Sequence, residues 1–184
     1  MNNSSLRTVI QSFVAAESVG PSTLRGQGAK GMIRTSREYL SVLDLGRFST
    51  TNSRVFAKEL DQATEELCTS YPRGGRHWGS ARKPLNIFLR NAFYNQFLCD
   101  HFGLRKSARF FEVPLDSIVA GQIRLLDKCG TLPRWPGVKN LDARTSAEYQ
   151  AFLGRLARHH HLHRVHLDVF LWQRFVGDLV SGWS

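Results

Sequence analysis

The chain has only 3 cysteines in 184 residues, and no Cys-x-x-Cys or Cys–His ligand spacing. Cys68, Cys99 and Cys129 are widely separated and odd in number. That is the usage of reduced thiols in a cytosolic protein, not of a disulfide framework, and it argues against a zinc or iron–sulfur site. No metal and no cofactor are expected. Long hydrophobic runs are also missing: no stretch reaches the roughly 18 apolar residues that a membrane span requires. The opening MNNSSLRTVIQSFVAAESVG has neither a basic leading region nor a long apolar one, so it does not read as a secretory signal. Period-two alternation of useful length is absent, and no internal repeat shows at any period. A soluble cytoplasmic chain with no strands is the expectation.

Acidic residues are the scarcer charge, with 15 Asp plus Glu against 25 Lys plus Arg and a formal net charge of +10. A basic globular chain points to a polyanionic partner, nucleic acid before all others. Apolar residues make up 42%, with 12 Phe and 4 Trp, enough to bury a core.

Helical periodicity is what the sequence has in abundance. Leu6, Val9, Ile10, Phe13 and Val14 form one face of a first helix, with Ser4 or Ser5 at its start and Gly20-Pro21 at its end. Residues 21–37, with Gly26, Gly28 and Gly31, read as a long loop, followed by a short helix over 37–46. Asn52 or Ser53 caps the next helix, which runs to Pro72. A strongly apolar helix carries Leu85, Phe88, Leu89, Ala92, Phe93 and Phe97 and stops at Gly103. Another starts at Pro114–Asp116, and two more close the chain over roughly 145–160 and 164–181. The fold expected is all-α, a single domain over 1–184 built as a compact helical bundle, with room for two lobes, one of 1–72 plus 130–184 and the other of 73–129.

YPRGGRHWGSARKP is the most unusual segment. It sets Arg73, Arg76, Arg82 and Lys83 around Gly74, Gly75 and Gly79 between two helices. Glycines allow backbone amides to approach a phosphate, and a helix N-terminus presents unpaired N–H groups to it. Arg73, Gly75, Arg76, Gly79, Ser80 and Arg82 are therefore the candidate contacts to a DNA backbone. Pro84 disfavours helical geometry at Lys83, so the helix is expected to begin only at Pro84.

HWGSARKPLNIFLR resembles the lysine-bearing hairpin of the helix-hairpin-helix DNA glycosylase superfamily. FFEVPLDSIVAGQI resembles that family's segment opening the helix with the catalytic aspartate. The resemblance covers about residues 72–127. The Lys–Asp separation is similar to that of the compact archaeal 8-oxoguanine glycosylase branch. The resemblance implies that Lys83 is the Schiff-base lysine and Asp116 the catalytic carboxylate. It also implies that the chain is a monomeric, nucleoid-associated enzyme that excises a damaged or modified base, with strand cleavage as an accompanying lyase step. The substrate would be an oxidised base in repair, or a modified viral base in antiviral defence.

That chemistry is coherent in these residue types. Breaking an N-glycosidic bond builds positive charge on the deoxyribose, which a carboxylate stabilises. An amine nucleophile must be neutral, and Arg76 and Arg82 are the neighbours expected to keep Lys83 so. A flipped base needs aromatic walls, for which Trp78, Phe93, Trp135 and Trp172 are the candidates. The run RHHHLHRVHLD brings His159, His160, His161, His163 and His166 close to Asp168. Adjacent side chains on a helix diverge by about 100° and cannot converge on one ion, so the run reads as a basic surface near DNA. Asp168 is a second candidate for the carboxylate, ranked below Asp116. Two rival readings stay open, a non-catalytic helical nucleic-acid-binding module and a protein-interaction subunit.

Overall fold

The computed structural model describes residues 3–175 and 177–180. Among them every regular element is helical, as expected. Helix α1 spans Asn3–Ser18, α2 Met32–Val42, α3 Ser53–Ser70, α4 Trp78–Tyr94 and α5 Gln96–Phe102. Helix α6 spans Ser117–Leu126, α7 Ala143–His159, α8 Leu167–Trp172 and α9 Gly177–Val180, with short 3-10 turns between several of them. No described helix is long and apolar enough to cross a membrane.

Most starts and stops follow local chemistry. The Asn52 side chain accepts from the amides of Arg54 and Val55 to open α3, and Asp142 does the same for Thr145 in α7, as N-caps should. The apolar stretch 85–102 is two helices, not one. Asn95 leaves helical geometry to end α4, and its side chain accepts from Leu98 to cap α5. Helix α2 begins inside the expected loop, where Gly31 at φ 99° turns the chain into it. The expected closing helix over 164–181 is a 3-10 turn followed by α8 and then α9, and residue 181 lies outside the described residues.

The largest departure concerns α4. It starts at Trp78, not Pro84, so Lys83 is helical and Pro84 lies inside the helix. A proline there removes the N–H that would bond the carbonyl four residues back, which is that of Ser80. The Tyr71 hydroxyl supplies a replacement, lying 3.3 Å from the Ser80 carbonyl and 2.7 Å from Ser36 Oγ. Tertiary packing thus overrides the local preference of a Lys-Pro step. Tyr71 is 1% exposed, so removing its hydroxyl leaves that carbonyl dry and unpaired. Tyr71→Phe is expected to lower stability by about 1–3 kcal/mol, measured by urea unfolding; an unchanged midpoint would show that the proline is accommodated in another way.

The buried apolar side chains form two clusters. One gathers α1 to α5 with Phe111 and Val165, and the other runs from Val113 to Leu179. Val165 apart, they divide the chain at Glu112, so the expected lobe of 73–129 does not coincide with a cluster: α4 belongs with the N-terminal cluster and α6 with the C-terminal one. Apolar volume explains the division, since Ala81, Leu85, Phe88, Leu89 and Ala92 of α4 all pack into the first cluster. The extended step between clusters is tied down by side chains. Gln150 donates to the Val113 carbonyl at 2.7 Å and accepts from its amide at 3.2 Å. Arg164 donates to the carbonyls of Phe110 at 2.7 Å and Phe111 at 3.1 Å. This stitching brings the start of α6 against the flank of α4.

Candidate active site

Where the two clusters meet lies a cavity of about 530 Å³. Its walls come from the end of α1, one stripe of α4, the start of α6 and one face of α8. Lys83, Ile87, Arg90, Asn91 and Tyr94 form the α4 stripe, spaced by three, four and seven residues as one helical face requires.

Lys83 Nζ lies 3.3 Å from Asp116 Oδ2, with the two side chains only 10% and 15% exposed. Residues 33 positions apart, singled out from two separate motifs, therefore meet. Asp116 is the N-cap of α6, and its Oδ1 accepts from the amides of Ile118 and Val119, both at 2.9 Å. One oxygen is thus held by the helix N-terminus while the other faces the amine. A carboxylate gripped in this way has a fixed orientation.

Asp168 lines the same cavity from α8, paired to Arg90 of α4. It is 1% exposed, and its Oδ1 has no hydrogen-bond partner among the described residues. Arg90 also donates to Asn91 Oδ1 through Nε at 3.1 Å and through its second terminal nitrogen at 2.9 Å. Asn91 in turn donates to Ser18 Oγ at 3.0 Å. Burial lowers the Arg90 guanidinium from its ordinary value and raises the Tyr94 phenol. Two carboxylate–cation pairs therefore sit on one cavity, each joining α4 to the C-terminal cluster.

The remaining expectations divide. Trp172 lines the cavity from α8 and is 53% exposed. Trp78, Phe93 and Trp135 are not among its walls. Trp78 packs on the C-terminal cluster beneath the Arg82 guanidinium, 4.9 Å from its ring centroid. Phe93 packs on Phe111 with ring centroids 5.3 Å apart and planes tilted by 36°. Trp135 donates to Ser117 Oγ at 3.2 Å and packs on Tyr149.

Of the candidate backbone contacts, Arg73 and Arg76 are exposed on the turn before α4. Arg82 is not available: it is 7% exposed and turned inward. It bonds Glu112 and Thr64 and the Leu60 carbonyl, and pairs with Asp61. Ser80 is fully buried. Gly75 and Gly79 are small to admit neighbours, not phosphate. A Cβ on Gly75 would stand 2.5 Å from Met32 Sδ, and one on Gly79 2.1 Å from the Val138 carbonyl oxygen. Neither arginine expected beside Lys83 directs its guanidinium there, since Arg76 donates to the Tyr71 carbonyl.

Sequence reading passed over Arg90, Asn91 and Tyr94. Their signal was spacing from Lys83, which becomes visible only once Lys83 is placed on the helix. Among the described residues no three His, Cys, Asp or Glu side chains are grouped to hold a metal ion. No protein-family model, curated protein or solved structure matches the chain.

Proposed function

We propose that this chain is a DNA glycosylase that excises a damaged or modified base through the Lys83–Asp116 pair. The observation that supports this reading most is the 3.3 Å approach of the two side chains in a cavity large enough for a nucleoside. Asp116 takes a proton from the Lys83 ammonium. The freed amine attacks the sugar C1′, and the base departs with the electrons of the N-glycosidic bond and the proton held by Asp116, which restores the carboxylate. Ring opening, with O4′ taking a proton from the amine, leaves an imine between Lys83 and the sugar, from which loss of a C2′ proton to the carboxylate and elimination of the 3′ phosphate cleave the strand. The Asp116 carboxylate, restored as the base leaves, faces the positive charge that develops on the sugar. The +10 net charge draws the chain to DNA, and exposed Arg73 and Arg76 are the backbone contacts that remain from the hairpin. Trp172 is the wall on which an extruded base stacks.

The test is borohydride trapping on a duplex with an abasic site. The wild type is expected to form a covalent adduct and Lys83→Gln none. Should the wild type bind the duplex in a salt-dependent way and never trap, the pair is a buried bridge between helices in a non-catalytic DNA-binding module.

A further inference from the structure

Tyr94 ends the Lys83 stripe of α4 and is a wall of two hollows. The second, of about 500 Å³, lies on its other side and is lined by Phe93, Gln96, Arg105, His163 and His166 among others. Tyr94 is 45% exposed, its hydroxyl is 2.9 Å from His166 Nδ1, and the two rings are 18° from parallel. The His163 ring is 5.6 Å from that of His166. Burial, and then the neighbouring His163, push the His166 imidazole below its ordinary value. Arg105 stands at the rim with a 70% exposed side chain, its Nε 3.3 Å from Asp100 Oδ1, which is itself half exposed. The glycosylase mechanism uses none of these groups apart from Tyr94 as a wall.

We infer that this second hollow is a phosphate subsite: it receives the backbone phosphate adjoining the extruded nucleotide, held by Arg105 and His163, with Tyr94 as the ridge the strand crosses. The inference rests on the glycosylase reading, because it requires a nucleotide in the first cavity. A nucleotide drawn into that cavity leaves its strand at the rim, and Tyr94 is the part of the rim that borders a basic hollow. Phosphate oxygens accept from guanidinium and imidazole N–H groups. The ion pair of Arg105 with Asp100 is exposed on both sides and holds the guanidinium weakly, so a phosphate displaces it readily.

The experiment uses duplexes with a tetrahydrofuran abasic site in which single phosphates on either side are replaced one at a time by uncharged methylphosphonate. Wild-type affinity, read by fluorescence anisotropy, is expected to fall roughly tenfold or more at one adjoining position, as for loss of a charged hydrogen bond. Arg105→Ala/His163→Gln changes two exposed side chains and should fold normally by circular dichroism. It should bind the unmodified duplex roughly tenfold more weakly, be indifferent to methylphosphonate at that position alone, and show a salt slope smaller by about one. Asp100→Asn should bind a few-fold more tightly. A double variant that keeps the wild-type sensitivity at every position overturns the subsite. Borohydride trapping on natural abasic duplex separates the two readings. Trapping without positional coupling removes the subsite alone. Coupling without trapping removes the glycosylase and leaves a phosphate contact in a DNA-binding protein.

Discussion

Asp116→Asn is expected to cut base release several hundredfold or more while leaving the helix content and the affinity for abasic duplex unchanged. The two oxygens of Asp116 do different things, and the substitution separates them. Oδ1 caps α6 by accepting from Ile118 and Val119, a task that asparagine performs as well as aspartate. Oδ2 carries the charge that faces Lys83 and, in the proposed reaction, the sugar as it becomes positive. Loss of one preorganised electrostatic group of this kind raises a barrier by about 3–4 kcal/mol. Asp116→Ala is the contrasting variant, since it removes the cap as well and should lower stability by about 1 kcal/mol. The measurement is single-turnover excision across a panel of modified duplexes and modified phage DNAs, with circular dichroism alongside. Excision that survives Asp116→Asn and disappears in Asp168→Asn would move the chemistry to the carboxylate of α8. Excision that survives both substitutions would remove the glycosylase reading.

Lys83 and Asp116 were legible in the sequence because each sits in a segment with its own local signature. The aspartate stands where an extended Val-Pro-Leu step gives way to an apolar helix, and a carboxylate in that place is an N-cap on local grounds alone. Placing Lys83 was harder. Its neighbour Pro84 argues for a helix start at 84, and that argument is sound for an isolated peptide. What defeats it is the Tyr71 hydroxyl, thirteen residues earlier, which occupies the carbonyl that the proline leaves unbonded. Shifting the helix start from 84 to 78 turns Lys83 from a residue at a helix mouth into the first of a stripe, and Arg90, Asn91 and Tyr94 then follow by spacing. Two of the aromatic candidates lie away from the cavity for a related reason. Trp78 and Trp135 lie near loops in sequence, yet both are partly buried against the C-terminal cluster. An irregular connection that crosses between clusters packs like a core, and composition does not reveal that.

The charge of the hairpin shows the same limit. Arg73, Arg76 and Arg82 are indistinguishable as letters, and a net charge of +10 speaks for a polyanion without saying which cations face it. Two of the three are on the surface. The third meets a carboxylate thirty positions away that no local pattern couples to it.

That third arginine carries the largest expected effect on stability. Arg82 is 8% exposed and Glu112 14% exposed, with Nε 3.0 Å from Oε2. Asn86 donates to the same carboxylate at 3.0 Å. Glu112 is also the residue that divides the two clusters, so its partners tie α4 to the segment leading to Asp116. Arg82→Ala leaves this carboxylate buried and short of its main cation, which should lower stability by about 3–5 kcal/mol near neutral pH. Burial alone would raise the Glu112 carboxyl, but Arg82 and Arg164 hold it below its ordinary value. A depressed carboxyl contributes stability that is fully present above its unfolded pKa, about 4.3, and is lost as the pH falls through the lower folded value. Wild-type stability should therefore decline below about pH 4. The gap to Arg82→Ala should narrow over the same range, because a protonated Glu112 no longer needs the guanidinium. Urea unfolding at pH 7, 4 and 3 measures both trends. Arg82→Met/Glu112→Leu should recover much of the loss, since an apolar pair of similar volume replaces a buried ion pair without leaving a charge behind. A gap that stays constant from pH 7 to 3, or a double variant no more stable than Arg82→Ala, would show that Arg82 acts through packing on Trp78 and not through Glu112.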